Sequence, residues 1–533
     1  MSQLAALPTI STPNIDYVAI LPILIVLGAA VLGVLVEATV PRSERFNAQF
    51  ALTIAGLLAG IGSVWGLAQA GHTSVTTPSP SGSDPSFLGS LAIDKGGLFI
   101  QGTVLVLALM AALLLAERSV DVGSPIVASS AVVVGSPDDR RLLASPRVQT
   151  EVFPLLLFSV SGMLIFPVSN NLLLMFVALE VLSLPLYLMA GMARRRRLVS
   201  QEAAVKYFLL GAFASAFFLY GIAMIYGYAD SVDLGTIRTA ATTSTKSDAL
   251  LYVGLALLLV GLLFKAGIAP FHSWTPDVYV GAPTPVTAFM AACTKVAAFG
   301  AIVRVLFVAF SSTNNDWRPI VWAVAIASMV VGAVFGLTQT DVKRILAYSS
   351  IAHAGFALVG VLAVDSKGTP SGAGISSVLF YVLAYGFTTL AAFGLLMVVR
   401  GPDGEATHLS QWSGLAKKSP IVAAAMTILL LSMAGIPLTA GFTGKFVVFR
   451  AAWHSAGPLV VIALIASAVA AFYYLRIVVL MYFAEPPENA PTIAIPGWST
   501  TVALTVGLVV TVLLGVFPQP ILDLASNAAH LTT

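Results

Sequence analysis

Charged residues are scarce in this sequence. Only 10% of its 533 residues are Asp, Glu, Lys or Arg, whereas 58% are hydrophobic, and the mean hydropathy is +0.93. A soluble domain needs a charged surface, so this balance excludes the ordinary soluble classes and indicates a membrane protein. The formal net charge is +3 and the basic residues are scattered, which argues against a nucleic-acid partner.

Cysteine is almost absent as well. Cys293 is the single cysteine and lies inside an apolar run, so the chain cannot form an internal disulfide. There is no ligand set for an iron–sulfur cluster or zinc, and the GxG at Gly60 and Gly62 has no strand before it. We therefore expect no metal site, no redox centre and no cofactor bound by this chain. The first sixteen residues lack a cationic region and a clear cleavage site, so we expect no removed signal peptide.

Long apolar runs, in contrast, are abundant. Fourteen of them are long enough for a helix to cross a bilayer, which predicts an all-α polytopic membrane protein. The predicted spans, numbered 1 to 14 along the chain, are 17–38, 46–70, 97–116, 152–168, 171–191, 203–229, 249–270, 284–310, 318–338, 343–363, 375–399, 421–449, 458–482 and 498–517. Two hydrophilic segments, 72–95 and 117–150, are predicted to be irregular loops.

The basic residues of the loops are divided unequally between the two sides of the predicted membrane. One side holds fifteen, namely Arg42, Arg45, Arg118, Arg140, Arg141, Arg147, Arg194, Arg195, Arg196, Arg197, Lys343, Arg344, Arg400, Lys417 and Lys418. The other side holds six, namely Lys95, Arg238, Lys246, Arg318, Lys367 and Arg450. Because cytoplasmic loops carry the excess of Lys and Arg, we predict that both termini lie outside the cytoplasm.

Two spans contain helix breakers at corresponding places. Span 7 reads LLFKAGIAPFHSW and span 12 reads LLLSMAGIPLTAGFTGKFVVF, and Pro270 and Pro437 follow the shared AGI closely. The AGI segments are 168 residues apart, which predicts two five-helix repeats, spans 4–8 and 9–13. Five is an odd number, so the repeats should be inverted. The chain is predicted to divide into the segments 1–150, 151–311, 312–485 and 486–533.

Four ionisable residues lie deep inside apolar runs. Lys295 is in the middle of span 8, and Lys265, Lys445 and Glu180 lie at comparable depth in spans 7, 12 and 5. A charge at mid-bilayer is costly and usually functional. These residues therefore suggest a proton path through the membrane.

Several motifs resemble one family. FKAGIAPFHSWTPDVYVGAPTPV (264–286), ACTKVAAFG (292–300), DVKRILAYSSIAHAGF (341–356) and AGIPLTAGFTGKF (434–446), with the glutamate of ALEVLSLPLY (178–187), carry the resemblance. They are similar to the antiporter-like proton-pumping subunits of type I NADH:quinone oxidoreductase (complex I) and to related Mrp antiporter and membrane-bound hydrogenase subunits. DVYVGAP and the lysine in span 12 most resemble the N type of these subunits. The long segment 117–150 departs from the family.

The resemblance implies a role for each buried group. Glu180 and Lys265 look like the family's glutamate–lysine pair, Lys295 like its central relay lysine and Lys445 like its terminal one. Burial favours the neutral form of both Glu180 and Lys265, while proximity favours the charged forms, so a mobile pair can switch. A static ion pair is the alternative for Glu180 and Lys265, and a snorkelling structural lysine is the alternative for Lys295 and Lys445.

Three further residues are weaker relay candidates. Lys206 matches a family lysine, but it lies near the end of span 6 and could instead snorkel or pair with Glu202. His272 and His353 could bridge gaps between lysines, and a hydrogen-bonded core histidine is an equal alternative for each. Arg304 is predicted to lie on the helix face opposite Lys295 and to snorkel outward.

The resemblance implies a respiratory-chain subunit of a bacterial inner membrane. It would translocate protons while partner subunits hold NADH, FMN, iron–sulfur clusters and quinone, and its partners would be other complex I membrane subunits, the NADH-oxidising arm and lipid. The alternative is a subunit of an Mrp-type cation/proton antiporter. A third interpretation, a structural spacer with a decayed relay, is disfavoured by the presence of all four buried ionisable residues.

Overall fold

The structure is a computed structural model that describes residues 15–71, 74–75, 90–121, 124–127, 132–145, 148–244, 246–364, 371–401, 404–487, 490–529 and 531. Helices form almost all of it. They are α1 Leu21–Thr39, α2 Arg42–Ala70, α3 Lys95–Leu115, α4 Pro137–Ala144, α5 Val152–Ile165, α6 Leu172–Ala190, α7 Arg197–Ala229, α8 Leu234–Thr243, α9 Ala249–Ala266, α10 Trp274–Gly281, α11 Thr284–Phe289, α12 Lys295–Arg304, α13 Asn314–Thr338, α14 Val342–Val361, α15 Gly372–Val398, α16 Leu415–Lys418, α17 Pro420–Ala434, α18 Ala440–Phe483, α19 Trp498–Val516 and α20 Gln519–Asn527.

Short pieces of other structure connect these helices. Single 3₁₀ turns occupy Phe166–Val168 and Leu409–Trp412. The π turn Met290–Thr294 joins α11 to α12, and a second π turn, Val305–Ala309, extends α12, so that Thr284–Ala309 is one long element. The strands are β1 Ser74–Val75, β2 Ala92–Ile93, β3 Val399–Gly401, β4 Gly404–Glu405 and β5 Thr492–Ile493. β1 pairs with β2, and β3 pairs with both β4 and β5, all antiparallel.

The length and composition of the helices fit a membrane protein. Within the described ranges, twelve helical elements are long and apolar enough to cross a membrane, and two shorter apolar helices are Val152–Val168 and Pro420–Ala434. The 44-residue α18 has a non-helical residue at Ala456, where predicted spans 12 and 13 meet. The prediction of an all-α polytopic membrane protein is confirmed, while the count of fourteen spans and the inverted repeats stay predictions.

The helices form a buried centre inside an outer ring that exposes apolar side chains. In the most apolar stretch of each helix, 94% of the residues are buried in the Thr284–Ala309 element and in α15. The corresponding share is 33% in α1, α7 and α19. The outer helices expose large apolar side chains such as Trp65 and Phe213. A helix that is buried on all faces lies in the core of a protein, so other helices enclose the central element that contains Lys295.

Both predicted helix breaks are present and have the same geometry. α9 ends at Gly267, whose φ is +69°, and the N–H of Ile268 donates to the carbonyl of Leu263. α17 ends at Gly435, whose φ is +89°, and the N–H of Ile436 donates to the carbonyl of Leu431. A left-handed residue with a bond that spans the last turn is the usual way to end a helix at glycine. The AGI segments therefore stop both helices inside the apolar runs.

Ion pairs join the loops on the side that the sequence predicts to be cytoplasmic. Asp121 accepts from both Arg195 and Arg400, and Lys343 pairs with Glu405. The segment 117–150, predicted to be irregular, contains the short helix α4, and its Ile126 pairs with Ala193 as an isolated β-bridge. This segment is thus part of the folded end of the molecule.

Candidate functional site

The three predicted relay lysines are all buried. Lys265, Lys295 and Lys445 expose 2%, 3% and 5% of their surface, whereas Glu180 is half-buried. They come from α9, α12, α18 and α6. No snorkelling to water occurs for the three lysines, so each ammonium must find its hydrogen-bond acceptors inside the protein.

Lys295 binds to the end of a broken helix. Its Nζ donates to the carbonyl of Ala266, 3.1 Å away at the end of α9, and to the carbonyl of Ser350 at 2.6 Å. The ring centroid of Tyr385 lies 5.8 Å from the same nitrogen. The last carbonyls of a helix have no intrahelical partner and carry the negative end of its dipole, so they favour an ammonium group.

Lys445 occupies the corresponding position at the second break. Its Nζ donates to the carbonyls of Met433 at 2.9 Å and Ala434 at 3.0 Å, and to the hydroxyl of Ser467 at 2.8 Å. Ala266 and Ala434 are the alanines of the two AGI segments. The equivalent helix-end carbonyl is therefore bound by a lysine at both breaks. The lysine comes from α12 at the end of α9, and from α18, the helix that follows the break, at the end of α17.

Lys265 has a different environment, made of aromatic rings. Its Nζ is 3.4 Å from the hydroxyl of Tyr207 and lies 5.4 Å and 5.9 Å from the ring centroids of Tyr207 and Tyr187. The indole of Trp274, stacked on Tyr207 at 4.5 Å, donates to the carbonyl of Phe264. Cation–π attraction thus holds the ammonium one residue before the break.

Glu180 and Lys265 do not form a direct ion pair among the described contacts. The Oε1 atom of Glu180 is buried and has no hydrogen-bond partner within the described residues. Tyr187 follows Glu180 by two helical turns on α6 and so lies on the same helix face, toward Lys265. An aromatic ring therefore stands next to the predicted pair, which interacts across a gap.

His353 lies between the central and terminal lysines. Its Nδ1 is 2.7 Å from the hydroxyl of Tyr381 and its Nε2 is 3.4 Å from that of Tyr474. Tyr474 also bonds closely to the hydroxyl of Ser349, the neighbour of the Ser350 carbonyl that accepts from Lys295. A small cavity lined in part by His353, Tyr385 and Ser432 adjoins this group.

Sequence reasoning gave no role to these tyrosines. Aromatic residues are common in apolar helices, so the sequence does not distinguish Tyr381 or Tyr474 as functional. The presence of a tyrosine in an apolar helix does not by itself predict a role for its hydroxyl. Only the packing of α14, α15 and α18 shows that these hydroxyls meet at His353.

Lys295, His353 and Lys445, with the tyrosines and serines that contact them, form a row of buried polar groups. The other two weak candidates lie outside this row. Lys206 is half-exposed and pairs with Glu202 at 2.7 Å, as the alternative proposed, and with Asp277 at 2.8 Å, which also binds Arg344. His272 lies in the turn of the first break, and its Nδ1 is buried without a hydrogen-bond partner in the part of the chain that the structure describes.

The prediction that Arg304 snorkels outward is wrong. Arg304 and Asp94 each expose 1% of their side chains and form an ion pair of 2.8 Å, and Arg304 also donates to the carbonyl of Pro167 at 2.6 Å. The face opposite Lys295 is covered by α3 rather than by lipid. A partner 210 residues away could not be identified from helical periodicity.

The side chains of the row are of types that suit proton transfer. Its side chains are amines, an imidazole, phenols and serine hydroxyls, all of which carry exchangeable protons. Within the described ranges, no group of three or more His, Cys, Asp or Glu side chains could hold a metal ion. Hydrogen-bonded proton carriers buried across a membrane are typical of a proton pathway.

Comparison with known families agrees with this architecture. Residues 169–471 match the family model described as NADH:quinone oxidoreductase/Mrp antiporter, TM. The chain is 58% identical to NADH-quinone oxidoreductase subunit N of Saccharopolyspora erythraea, over 97% of this chain and 98% of that protein. It is 49% identical to the subunit of the same name from Mycobacterium tuberculosis, over 97% and 99%.

Solved structures give the same result. A chain of respiratory complex I from Thermus thermophilus, solved with bound aureothin, is 33% identical with a TM-score of 0.73, covering 95% of this chain and 99% of that one. A chain of the Mrp complex from a Dietzia species has a TM-score of 0.76 at 22% identity, covering 96% and 97%, and supports the fold alone. This chain belongs to the NADH:quinone oxidoreductase/Mrp antiporter transmembrane family.

Proposed function

We propose that this chain is a proton-translocating membrane subunit of a respiratory NADH:quinone oxidoreductase. The observation that carries the proposal is the buried row. In it, Lys295 and Lys445 bind equivalent helix-end carbonyls, and His353 lies between them with Tyr381 and Tyr474. The relatives named NADH-quinone oxidoreductase subunit N cover nearly the whole chain and support the same assignment.

The row suggests how a proton moves from Lys295 to Lys445. A protonated Lys295 is stabilised by the carbonyls of Ala266 and Ser350, and the loss of its proton removes the charge that these two oxygens solvate. His353 is the intermediate carrier, since one ring nitrogen can accept a proton while the other donates through Tyr381 or Tyr474. Lys445 then takes the proton and releases it toward the outside.

Charge at Lys265 controls the central lysine in this proposal. Lys265 is next to Ala266, whose carbonyl binds Lys295, so the two ammonium groups share one helix end. Like charges repel each other more strongly in a low-dielectric interior than in water. A shift of Lys265 toward Glu180 would relieve that repulsion and let Lys295 bind its proton, and the reverse shift would expel it.

The reduction of quinone takes place in partner subunits under this proposal. NADH, FMN, iron–sulfur clusters and quinone belong to those partners, and this chain adds the membrane path for protons. The chain would lie in the bacterial inner membrane with both termini outside the cytoplasm. Its direct contacts would be neighbouring membrane subunits and lipid, and the NADH-oxidising arm would act through them.

The substitution Lys295→Ala tests the central step. Removal of the ammonium should abolish translocation through this subunit, so the protons moved per NADH oxidised should fall in the intact assembly reconstituted into vesicles. The matched control is Lys417→Ala, which removes an exposed lysine paired with Glu485 at the surface. An unchanged ratio of protons to electrons in Lys295→Ala would refute the relay role.

The alternative, an Mrp-type antiporter subunit, rests on the fold it shares with the Dietzia Mrp chain. Purification through a tag on this chain, with mass spectrometry of the partners, separates the two functions. Flavin and iron–sulfur subunits with NADH:quinone reductase activity support the respiratory assignment. Recovery of membrane antiporter subunits alone, with sodium-dependent exchange in the absence of NADH, supports the antiporter.

A further inference from the structure

We propose that a basic recess on the predicted cytoplasmic side binds the phosphate group of an anionic ligand. The recess is lined by Arg194, Arg195, Arg196, Lys343 and Arg400, together with Asp121 and Glu405 and backbone from 280–284. It lies apart from the row of buried lysines, and the proposed translocation does not use it.

Five separate parts of the chain build the recess. Asp121 comes from the segment 117–150, the three arginines come from the residues just before α7, and 280–284 join α10 to α11. Lys343 comes from α14, and Arg400 and Glu405 come from β3 and β4. Arg194 donates to the carbonyls of Leu143 and Ser145, which fixes the segment 117–150 against the recess. The recess is therefore a built part of the tertiary structure, and it gives this segment a role as one of its walls.

Positive charge predominates among the described residues that line the recess. Five of their side chains are cationic and two are anionic. One carboxylate serves two arginines, since Asp121 accepts from Arg195 at 2.8 Å and from Arg400 at 2.6 Å. Glu405 is taken by Lys343 at 2.9 Å. Positive charge in a concave, partly desolvated site attracts anions and repels cations, so the recess is not suited to admit protons.

Glu405 stays ionised and so keeps its ion pair with Lys343. Burial raises the pKa of Glu405, but the Lys343 ammonium and hydrogen bonds from Lys343 and Thr284 outweigh it and hold that pKa below its usual range. Among the arginines, Arg196 is the one most accessible to an incoming anion. Arg196 is exposed and donates to the hydroxyl of Thr407 at 3.2 Å, an acceptor that an anion can replace.

The size of the recess fits one phosphate group. Its volume is about 50 Å³, which corresponds to roughly four water molecules at about one probe sphere each. Guanidinium groups bind phosphate oxygens in a planar, two-point geometry that lysine cannot provide. Three consecutive residues of the lining, 194–196, are arginines.

Two sources could supply the phosphate. A free inorganic phosphate could enter from water, or the headgroup of an anionic phospholipid could enter from the bilayer. Leu198 and Val199, which follow Arg196 on α7, expose 63% and 42% of their surface and offer an apolar surface for acyl chains beside the recess. Both sources share the same recognition chemistry, and the binding experiment separates them.

The test measures binding to the purified, delipidated assembly that contains the full chain. The probes are ³²P-labelled inorganic phosphate, phosphatidylglycerol and phosphatidylcholine, each titrated against the wild type, Arg196→Gln, Arg196→Lys and the double variant Arg196→Gln/Arg400→Gln. The control is Arg141→Gln, which removes an exposed arginine of the segment 117–150 that pairs with Asp138 outside the recess. Arg195 still binds Asp121 in every variant.

We expect one saturable site in the wild type and in Arg141→Gln. Affinity should fall about tenfold or more in Arg196→Gln and further in the double variant, with partial recovery in Arg196→Lys. Binding of phosphatidylglycerol alone identifies a lipid headgroup, and binding of inorganic phosphate identifies a soluble source. No saturable site for either probe, or equal affinity in the wild type and both Gln variants, overturns the proposal. Because binding is measured without turnover, the outcome is independent of proton translocation.

Discussion

At the scale of single residues, the hydroxyl of Tyr381 is predicted to be part of the proton path. It lies 2.7 Å from His353, and Tyr381→Phe removes this contact without changing the shape of the ring. We expect fewer protons moved per NADH, with normal assembly, because His353 loses a partner through which it exchanges its proton. Proton uptake measured in vesicles tests this.

The matched control for Tyr381 is Tyr482→Phe, which removes an exposed hydroxyl near the end of α18. If both variants translocate protons as the wild type does, Tyr381 has only a packing role. Such a result would leave the hydroxyl of Tyr474 as the other described contact of the His353 ring nitrogens, and the combined loss of both hydroxyls would then be the next variant to examine.

Arg304 illustrates a residue whose function is structural. Replacing it by Leu removes the guanidinium that pairs with the buried carboxylate of Asp94, which costs about 3–5 kcal/mol. We expect a lower melting temperature and poor assembly, measured by thermal denaturation of the purified complex. Asp94→Asn in the same chain should restore part of the loss, because Asn keeps the N-cap of α3 and removes the negative charge that Arg304 balances. No recovery in the double variant would mean that packing, not charge, dominates.

At the scale of secondary-structure elements, the break between α17 and α18 positions Lys445. Gly435 has a φ of +89°, and a Cβ atom there would lie 3.0 Å from Cδ and 3.2 Å from Nζ of Lys445. Gly435→Ala should therefore cost about 1–2 kcal/mol in backbone strain and displace the ammonium from the helix-end carbonyls. We expect reduced proton translocation, measured per NADH oxidised.

The control for this break is Gly62→Ala in α2, where a Cβ atom would meet nothing within 4 Å. That substitution should be neutral or slightly stabilising, since alanine favours a helix over glycine. Equal translocation by the Gly435 and Gly62 variants would show that the position of Lys445 tolerates movement of the break.

At the scale of the whole molecule, the predicted orientation can be tested with introduced cysteines. The native Cys293 is fully buried, so it should not react with an impermeant maleimide added to spheroplasts. Lys246→Cys, on the predicted outer side, should be labelled in intact spheroplasts. Arg141→Cys, on the predicted cytoplasmic side, should be labelled only after the membrane is opened. The reverse pattern would invert the topology and the direction of translocation.

Local features of the sequence were sufficient to predict much of the architecture. Helix breaks at the two AGI segments follow from glycine and proline within apolar runs, and the buried lysines follow from their depth in those runs. These properties depend on contiguous residues, so neighbouring chain segments do not change them. The family resemblance relied on the same stretches and was confirmed by the comparisons.

The sequence by itself determined the membrane character of this protein, the positions of its helix breaks and the identity of its buried ionisable residues. Only the tertiary structure decided which carbonyls Lys295 and Lys445 bind, that Glu180 and Lys265 form no direct ion pair among the described contacts, and that Arg304 pairs with Asp94. Those contacts join residues far apart in the chain. They depend on the rotation and packing of helices against one another, which apolar sequences of similar composition leave open until the core is assembled.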